Sequence, residues 1–507
     1  MVSFLFLVAV IALGSWCLIN RRNATNLPWS RTPLPVIGHL HLLGSLPHRS
    51  LASLAKKHGP LLLLRLGAVP TAVVSSAEVV EKVMKTHDLT FASRPALSIA
   101  DRLVYGSRDV SFHGYGEYWR QTRRISIVHY LSAKRVQDFR QVREEEVALF
   151  LAEVRTAATA FSPLNLSKRL ATLTNDITCR VALGRKYSGE KQFREMLKEF
   201  TTLLGTFSMA DYVPCLGWVD ELRGLNSRVR KNFKEFDGFI ERVLQEHAKD
   251  RATDSGSCSE VKDCLDFVDA LLSLRNRGDA VIDLTVRGWE TIKALIMDVF
   301  AAGTDSVFTA IEWTMAELIK NPSSMRKAQE EVRRIVGSHS TASEEDIDKM
   351  EYLKAIIKES LRLHPPLPLL VPREAMRHTE LQGCVIPKGT RVFVNAWAIA
   401  RCPKDWDRAE EFWPERFLNC SVDFKGHDFK FVPFGAGRRG CPGVSFTTAI
   451  LEYVLANLLH SFDWEVPEEE KAGVLDMSET DGITARKKYD LVLRAKPNLG
   501  ILHAQSG

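Results

Sequence analysis

The fold of this 507-residue chain is decided by one stretch near its C-terminus, Pro433-Phe434-Gly435-Ala436-Gly437-Arg438-Arg439-Gly440-Cys441-Pro442-Gly443. The glycines allow the backbone to approach a flat ligand closely and to direct amide groups at the sulfur of Cys441. An aromatic residue, Phe434, and a basic residue, Arg439, flank the same loop. Because an anionic sulfur is a strong ligand for iron, the loop predicts a thiolate metal site at Cys441.

The same stretch also contains the spacing G-x-G-x-x-G from Gly435 to Gly440, which is typical of dinucleotide-binding loops. That fingerprint should follow a strand and open a helix inside a βαβ unit. Here it follows a proline in a chain whose apolar spacing is mostly helical. A dinucleotide site is therefore the less favoured interpretation of the loop.

The composition narrows the class of protein. Hydrophobic residues make up 45% of the chain, which is enough for a large buried core. The net charge of +6 comes from 68 basic and 62 acidic residues spread along the chain, so a nucleic-acid partner is not indicated. The nine cysteines are scattered and form no C-x-x-C pair, which indicates a reducing compartment and no structural zinc.

The N-terminus has the composition of a membrane anchor. Residues 2–19 carry no charge and are long enough to cross a bilayer as a helix, and Arg21 and Arg22 follow. A cleaved export signal, the alternative, would usually have its basic residues before the apolar stretch. We therefore predict a single transmembrane anchor at 1–22 with a basic stop, a stiff, extended proline-rich connector at 23–38, and a cytosolic folded domain at 39–507.

Apolar spacing predicts a mainly α-helical domain with small β-sheets, an α+β class. Two apolar runs at 61–66 and 72–75, separated by Gly67 and Pro70, predict a hairpin near the front of the domain. Predicted helices cover 136–154, 193–204, 229–247, 294–319, 325–335 and 352–363, and predicted short strands cover 384–387, 391–394 and 491–493.

Two further motifs place residue pairs on one helix face. Glu359 and Arg362 lie three apart in an E-x-x-R motif, which allows an ion pair, although such a pair is often an ordinary surface feature. Trp119 and Arg123 lie four apart, so they face the same way. Arginine binds carboxylates in a bidentate manner, so this second face suits an anionic ligand.

The predicted helix 294–319 carries Ala302-Gly303-Thr304-Asp305-Ser306 in its middle. A glycine and hydroxyl residues in mid-helix weaken the regular hydrogen-bond ladder and can open it locally. The alternative is a regular helix that tolerates a small residue. These residues by themselves leave both interpretations open.

Taken together, these motifs resemble those of the cytochrome P450 family. The loop matches that family's haem-binding signature F-x-x-G-x-R-x-C-x-G at Phe434, Gly437, Arg439, Cys441 and Gly443. The resemblance implies the family's fold, mainly α with small β-sheets, preceded here by one transmembrane helix. It also implies a haem b cofactor (iron protoporphyrin IX), with Cys441 as the sulfur ligand of the iron.

The resemblance also implies which residues bind the haem and its propionates: Trp119, Arg123, Arg373, Phe434, Arg439 and Cys441. Of these, Arg373 has a competing interpretation as a plain surface arginine. The resemblance further implies a buried triad of Glu359, Arg362 and Arg416, in which the loss of one member strands a charge.

Asp305 and Ser306 occupy the positions of the family's acid–alcohol pair, which lies over the haem and relays protons. The usual threonine is Ser306 here, and the hydroxyl residue often found next is Val307. A serine hydroxyl is less restricted in χ1 than a threonine hydroxyl. This departure therefore affects catalytic efficiency more than reaction type.

Segments 115–120, 424–429 and 475–479 are similar to the plant microsomal branch of the family that oxidises specialised metabolites. The implied function is a haem-thiolate monooxygenase that inserts one oxygen atom from O2 into a hydrophobic small molecule of the terpenoid, phenolic or alkaloid type. By the same resemblance, largely apolar segments at 98–110, 296–302, 367–371 and 480–484 would line the substrate pocket.

The implied partners are an NADPH-cytochrome P450 reductase, which supplies electrons from NADPH, and the endoplasmic reticulum membrane. The chain would be a single-pass protein there, with its catalytic domain facing the cytosol. The nearest alternative is an O2-independent haem-thiolate dehydratase or isomerase. A haem carrier or sensor is an alternative from a different class.

Overall fold

The structure is a computed structural model, and it describes residues 33–187, 189, 191–254, 266–278, 286–467, 475–480 and 482–498. The predicted membrane anchor at 1–22 lies outside these residues. The predicted connector is described only at its end, where Leu34 and Gly38 close a turn through two backbone hydrogen bonds of 2.9 and 3.1 Å. This end differs from the extended form that the prolines predicted, because Val36 takes a positive φ of 65° and Gly38 bridges to Leu66.

Helices dominate the described residues. In chain order they are α1 (Pro47–His58), α2 (Ala77–Glu81), α3 (Ser98–Leu103), α4 (Glu117–Ser126), α5 (Ala133–Asp138), α6 (Arg140–Thr159), α7 (Leu166–Leu183), α8 (Lys191–Leu204), α9 (Trp218–Leu222), α10 (Leu225–Asp254), α11 (Phe267–Asn276), α12 (Val286–Gly303), α13 (Asp305–Lys320), α14 (Pro322–Val336), α15 (Glu344–Ile347), α16 (Glu351–Leu363), α17 (Ala396–Ile399) and α18 (Val444–Ser461). Short π-helical turns at Lys82–Thr86 and Ile127–Leu131 and 3-10 turns at Leu40–Leu42, Pro214–Leu216, Pro414–Phe417 and Gly437–Arg439 connect them.

The strands form three small sheets. The strands are β1 (Leu61–Leu66), β2 (Val69–Val74), β3 (Leu164–Asn165), β4 (Arg373–Glu374), β5 (Thr379–Leu381), β6 (Cys384–Ile386), β7 (Arg391–Val394), β8 (Phe462–Glu465) and β9 (Val492–Pro497). The sheet orders are β1-β2-β7-β4, β3-β9-β8 and β5-β6. β1 and β2 form the predicted antiparallel hairpin, and β7 pairs with β2 in parallel. The predicted class, mainly α with small sheets, is confirmed.

The core is organised around the central pair α12 and α13. Along α13 every side chain from Val307 to Leu318 is buried, and α7, α16 and α18 pack against this helix. By length and hydropathy, the stretch from Arg287 to Lys320 could cross a membrane, but 72% of its most apolar window is buried inside the protein. It is therefore the core helix of the folded domain.

Several predicted helices are confirmed and others are corrected. Those at 193–204, 229–247, 325–335 and 352–363 lie within α8, α10, α14 and α16. The predicted continuous helix 136–154 is wrong, because Phe139 (φ −87°, ψ 10°) separates α5 from α6. The predicted helix 294–319 is interrupted at Thr304. Periodicity missed α7 and α18, since most of their faces are buried and little amphipathic pattern remains.

Candidate active site

The stretch 433–443, called the cysteine loop below, is held in shape by its own backbone. The amide of Cys441 donates to the carbonyl of Phe434 at 2.9 Å, and the amide of Gly440 donates to the carbonyl of Gly437 at 2.9 Å. The amide of Gly443 donates to Sγ of Cys441 at 3.3 Å. The sulfur therefore receives a backbone N–H from its own loop, as the glycines predicted.

Gly437 allows the cysteine loop to pack closely against the segment 82–88. Its φ of +67° lies in the left-handed region that favours glycine. A Cβ atom on this residue would lie 2.4 Å from the carbonyl oxygen of Met84 and 2.5 Å from Oδ1 of Asp88. The neighbouring Arg438 donates from Nη1 to Asp88 at 2.7 Å. The loop is thus pressed against segment 82–88, where only a residue without a side chain fits.

Cys441 lies deep among protein atoms, although part of its side chain is still accessible. Burial raises the pKa of its thiol, while the Gly443 amide and the Arg123 guanidinium lower it. Arg123 comes from α4 and donates from Nη2 to the carbonyl of Gly440 at 2.7 Å. Both favourable groups stabilise the thiolate, which is the form that binds a metal.

Arg439 and Trp119 meet beside the cysteine loop. The guanidinium carbon of Arg439 lies 3.9 Å from the centre of the Trp119 ring, and that of Arg123 lies 5.5 Å from it. Nε1 of Trp119 donates to the carbonyl of Val110 at 3.0 Å, and Arg439 donates to the carbonyl of Ala92 at 2.5 Å. The structure therefore brings together three of the predicted cofactor-binding residues.

Arg373 joins the same cluster and is not a surface arginine, since only 3% of it is exposed. It donates from Nη2 to the carbonyl of Ala436 in the cysteine loop at 2.8 Å and lies 3.6 Å from Asp88. A further member, Arg94, was not predicted from the sequence; it donates to the carbonyls of Ser111 and Val371 at 2.9 and 2.7 Å. No local motif marks Arg94, so only the fold shows it.

The arginine cluster (Arg94, Arg123, Arg373 and Arg439) has more guanidinium groups than carboxylate partners: Arg373 lies 3.6 Å from Asp88, and the negative charge of Asp109 acts on Arg94 and Arg439 without an ion pair. Burial lowers the pKa of Arg439 to about 9, helped by the charges of Arg373 and Arg123, and burial lowers the pKa of Arg373 to about 10. Burial and the charges of Arg439 and Arg373 also lower the pKa of Arg94. Among the described residues, no carboxylate forms an ion pair with Arg94, Arg123 or Arg439. A ligand that carries carboxylates, such as a haem with its two propionates, fits this charge.

Residues 302–306, called the helix break below, span the junction of α12 and α13, and Thr304 separates the two helices. Thr304 has φ −91° and ψ −58°, and its buried hydroxyl has no hydrogen-bond partner among the described residues. Oγ of Ser306 donates to the carbonyl of Ala302 at 2.6 Å. Of the two interpretations that the sequence left open, the structure agrees with a local interruption of the helix.

Asp305, the first residue of α13, is only 7% exposed. Its carboxylate accepts a hydrogen bond from the Thr484 hydroxyl and lies 3.3 Å from Nε of Arg486. Residues 480–484 were predicted to line the substrate pocket, but the contact of Thr484 and Arg486 with Asp305 was not predicted. No spacing rule connects residues that far apart in the chain.

The predicted triad is confirmed as a buried ion-pair network. Oε2 of Glu359 lies 2.7 Å from Nε of Arg362, and Oε1 lies 3.1 Å from Nε of Arg416. The side chains of Glu359 and Arg362 are fully buried. Arg362 also donates to the carbonyls of Ala400 and Ala409 at 2.6 and 2.7 Å. The network therefore joins α16 to residues 400–416, which precede the cysteine loop in the chain.

Comparison with known proteins agrees with this geometry. The family model described as Cytochrome P450 matches residues 28–493. Cytochrome P450 71A1 of Persea americana is 49% identical over 466 residues, covering 91% of this chain and 92% of that protein. Cytochrome P450 736A117 of Prunus mume is 47% identical over 501 residues, covering 97% of this chain and 95% of that protein.

Two solved structures are also similar to this chain in fold. A zebrafish cytochrome P450 with progesterone superposes with a TM-score of 0.74 at 27% identity, covering 89% of this chain and 99% of that one. A zebrafish cytochrome P450 with abiraterone gives the same TM-score at 26% identity and covers 90% of this chain and 100% of that one. This chain belongs to the cytochrome P450 family and is, as that membership implies, a haem-dependent monooxygenase.

Proposed function

We propose that this protein inserts one oxygen atom from O2 into a hydrophobic small molecule, with electrons delivered from NADPH by a cytochrome P450 reductase. The observation that carries the proposal is the surroundings of Cys441. Its sulfur accepts the Gly443 amide at 3.3 Å, and its loop lies against a buried arginine cluster without enough carboxylate partners.

In this proposal Cys441 ligates the iron of haem b. Trp119, Arg123, Arg373 and Arg439 hold the propionates together with Arg94, and Phe434 flanks the haem from the cysteine loop. A haem bound through a thiolate would supply the electron density that favours O–O cleavage, with O2 as the oxidant for oxygen insertion. The Gly443 amide and Arg123 support this chemistry because both stabilise negative charge on the sulfur.

Asp305 and Ser306 are proposed to carry protons to the reaction centre. The Ser306 hydroxyl donates to the carbonyl of Ala302, which holds it inside the helix break at 2.6 Å. A hydroxyl that both donates and accepts can pass a proton on without a net change of charge. The adjacent carboxylate of Asp305 takes up a proton from solvent and, in that protonated form, is the acid that replenishes the hydroxyl.

The proposed substrate is an apolar metabolite of the terpenoid, phenolic or alkaloid type. Support comes from the apolar composition of the predicted pocket segments, which include Ile99, Leu103, Ile296 and Phe300. The progesterone and abiraterone in the zebrafish structures are also largely hydrophobic small molecules. A screen for metabolite-induced shifts in the haem spectrum would narrow the substrate class.

The direct test is product formation under omission of single components. We expect activity only when NADPH, reductase and O2 are all present, with one atom of isotope-labelled O2 recovered in the product. Activity under anaerobic conditions without reductase would overturn the proposal in favour of the dehydratase or isomerase alternative, which nothing in the comparisons favours. Haem binding without turnover of any metabolite would point to a carrier or sensor.

We also propose that residues 1–22 anchor the protein in the endoplasmic reticulum membrane, with the catalytic domain in the cytosol. Deletion of residues 1–22 should release most of the protein from the membrane pellet and leave haem incorporation intact, because the anchor precedes the folded domain. The full-length protein is the control. Loss of haem from the truncated protein would contradict a separable anchor.

A further inference from the structure

The Asp305 carboxylate is held from two sides by the C-terminal segment 482–487. Its Oδ2 atom accepts a hydrogen bond from the Thr484 hydroxyl, and its Oδ1 atom lies 3.3 Å from Nε of Arg486. Each carboxylate oxygen therefore has its own partner. Rotation of the carboxylate about its terminal bond is restricted as a result.

The backbone between these two partners is fixed on the helix that carries Asp305. Nε1 of Trp313 donates to the carbonyl of Ala485 at 2.8 Å, and the amide of Lys487 donates to Glu312 at 3.4 Å. Glu312 and Trp313 both belong to α13, which begins at Asp305. The acid and its two partners therefore keep a fixed relative position.

The charges at this point are complementary. The Asp305 side chain is 9% exposed, whereas the Arg486 side chain is 30% exposed, so the pair joins a buried carboxylate to a cation at the edge of solvent. The first turn of a helix also favours negative charge. A buried carboxylate without partners would be costly, so these contacts stabilise the Asp305 side chain in one direction.

We infer that Thr484 and Arg486 are positioning residues that aim the Asp305 carboxylate for proton delivery to Ser306, an inference that rests on the proposed relay. A group that transfers protons must stay within hydrogen-bond reach of its partner, and a displacement of about 1 Å can lower a rate substantially. Thr484 and Arg486 act through Asp305 and not on the reacting atoms.

The test compares variants that keep or remove each contact in the haem-loaded protein. Thr484→Val removes the hydroxyl at nearly constant shape, and Arg486→Gln removes the charge. Each should lower product formed per NADPH several-fold and raise hydrogen peroxide, with haem loading unchanged. Thr484→Ser and Arg486→Lys keep a donor or a charge and should restore most of the lost product.

Matched controls remove similar groups elsewhere. Thr314→Val deletes a buried hydroxyl of α13 that bonds to Ala310 and Ser360, and Arg494→Gln deletes a guanidinium that is 23% exposed beside Glu465. Neither group contacts Asp305 in the described part of the chain. Product per NADPH should stay at the wild-type value in both controls.

A readout independent of turnover is the melting midpoint of each variant. Asp305→Ala and Thr484→Val should each lower the midpoint, and the midpoint of the double variant should fall by clearly less than the sum, because both substitutions remove the same hydrogen bond. The pair Asp305→Ala and Thr314→Val should be additive. Additivity for Asp305 with Thr484 would overturn the inferred contact.

The outcomes separate the inference from the function on which it rests. If Asp305→Asn leaves product per NADPH unchanged, the proposed relay is wrong and the inference falls with it. If Asp305→Asn lowers the ratio but Thr484→Val and Arg486→Gln do not, only the inference is overturned. If the serine and lysine variants fail to restore the ratio, the effect is structural and the positioning role is also overturned.

Discussion

The cysteine loop and the helix break belong to one proposed site but are built in opposite ways. The cysteine loop takes its shape from consecutive residues, through bonds such as Cys441 N–H to the Phe434 carbonyl at 2.9 Å. The helix break provides Asp305, but its partner Thr484 is 179 residues away in the chain. The internal turns of the first region are specified locally, although Arg123, Arg373 and Asp88 hold the loop in place from elsewhere in the chain. In the second region, the side chain of Asp305 finds its partners only in the tertiary fold.

This difference bears on function as well as on prediction. A residue of the cysteine loop helps to shape the backbone that is proposed to bind the haem, so its substitution should change haem binding. A residue of the helix break adjusts the direction and charge of a group that works after the haem is bound. We therefore expect substitutions in the first region to act on cofactor loading and those in the second to act on efficiency.

The largest effect should come from Gly437→Ala in the cysteine loop. A positive φ of 67° costs a residue with Cβ about 1–2 kcal/mol, and the 2.4 Å approach to the Met84 carbonyl forces backbone to move. Overpacking of this kind typically adds about 1–3 kcal/mol. We expect a clear loss of unfolding free energy and little bound haem, measured by chemical denaturation and by the haem-to-protein absorbance ratio.

Gly383→Ala is the matched control for this substitution. Gly383 also has a positive φ, 76°, but nothing lies within 4 Å of an added Cβ atom. The Gly383→Ala variant should lose only the unfolding free energy that the positive φ costs a residue with Cβ, about 1–2 kcal/mol, and it should keep its haem. Equal haem loading in the Gly437 and Gly383 variants would contradict the account of the loop.

A smaller effect is expected for Ser306→Ala in the helix break, with haem loading unchanged. Product per NADPH should fall and hydrogen peroxide should rise, because oxygen is released in reduced form when proton delivery fails. Acid–base assistance is typically worth about 10²- to 10⁴-fold, and a water molecule that replaces the hydroxyl would reduce the loss well below that. Ser306→Thr, the control, should keep or improve the ratio because its methyl group restricts χ1.

Unchanged product per NADPH in Ser306→Ala would show that Ser306 is not part of the relay. A loss of haem in the same variant would instead contradict the distinction between the two regions. The measurement needs NADPH consumption, product and peroxide from the same reaction.

The features of the fold that could be predicted from the sequence arise from residues that are close together in the chain. The hairpin 61–74 follows from two apolar runs around Gly67, and the break at Thr304 follows from small and hydroxyl residues in mid-helix. Glu359 and Arg362 pair because three residues bring them onto one helix face. Each of these features can be argued from neighbours in the chain.

The parts that escaped prediction depend on contacts between distant segments or on the absence of a pattern. Arg94 joins the arginine cluster through the carbonyls of Ser111 and Val371, which no motif near Arg94 indicates. α18 was missed because both its faces are apolar and buried, so its spacing carries little period. Thr484 and Arg486 were missed as partners of Asp305 because the turn that carries them meets α13 only in the folded chain.

The most direct test of the central claim, that Cys441 is the thiolate ligand of the haem iron, is the reduced carbon-monoxide spectrum of Cys441→Ser. A neutral hydroxyl is a poor iron ligand, so we expect the absorption band typical of thiolate-ligated haem to disappear while the wild-type protein shows it. Loss of the band in Cys441→Ser, together with its retention in Cys402→Ser as a matched cysteine control, would agree with the account. An unchanged band in Cys441→Ser would contradict it.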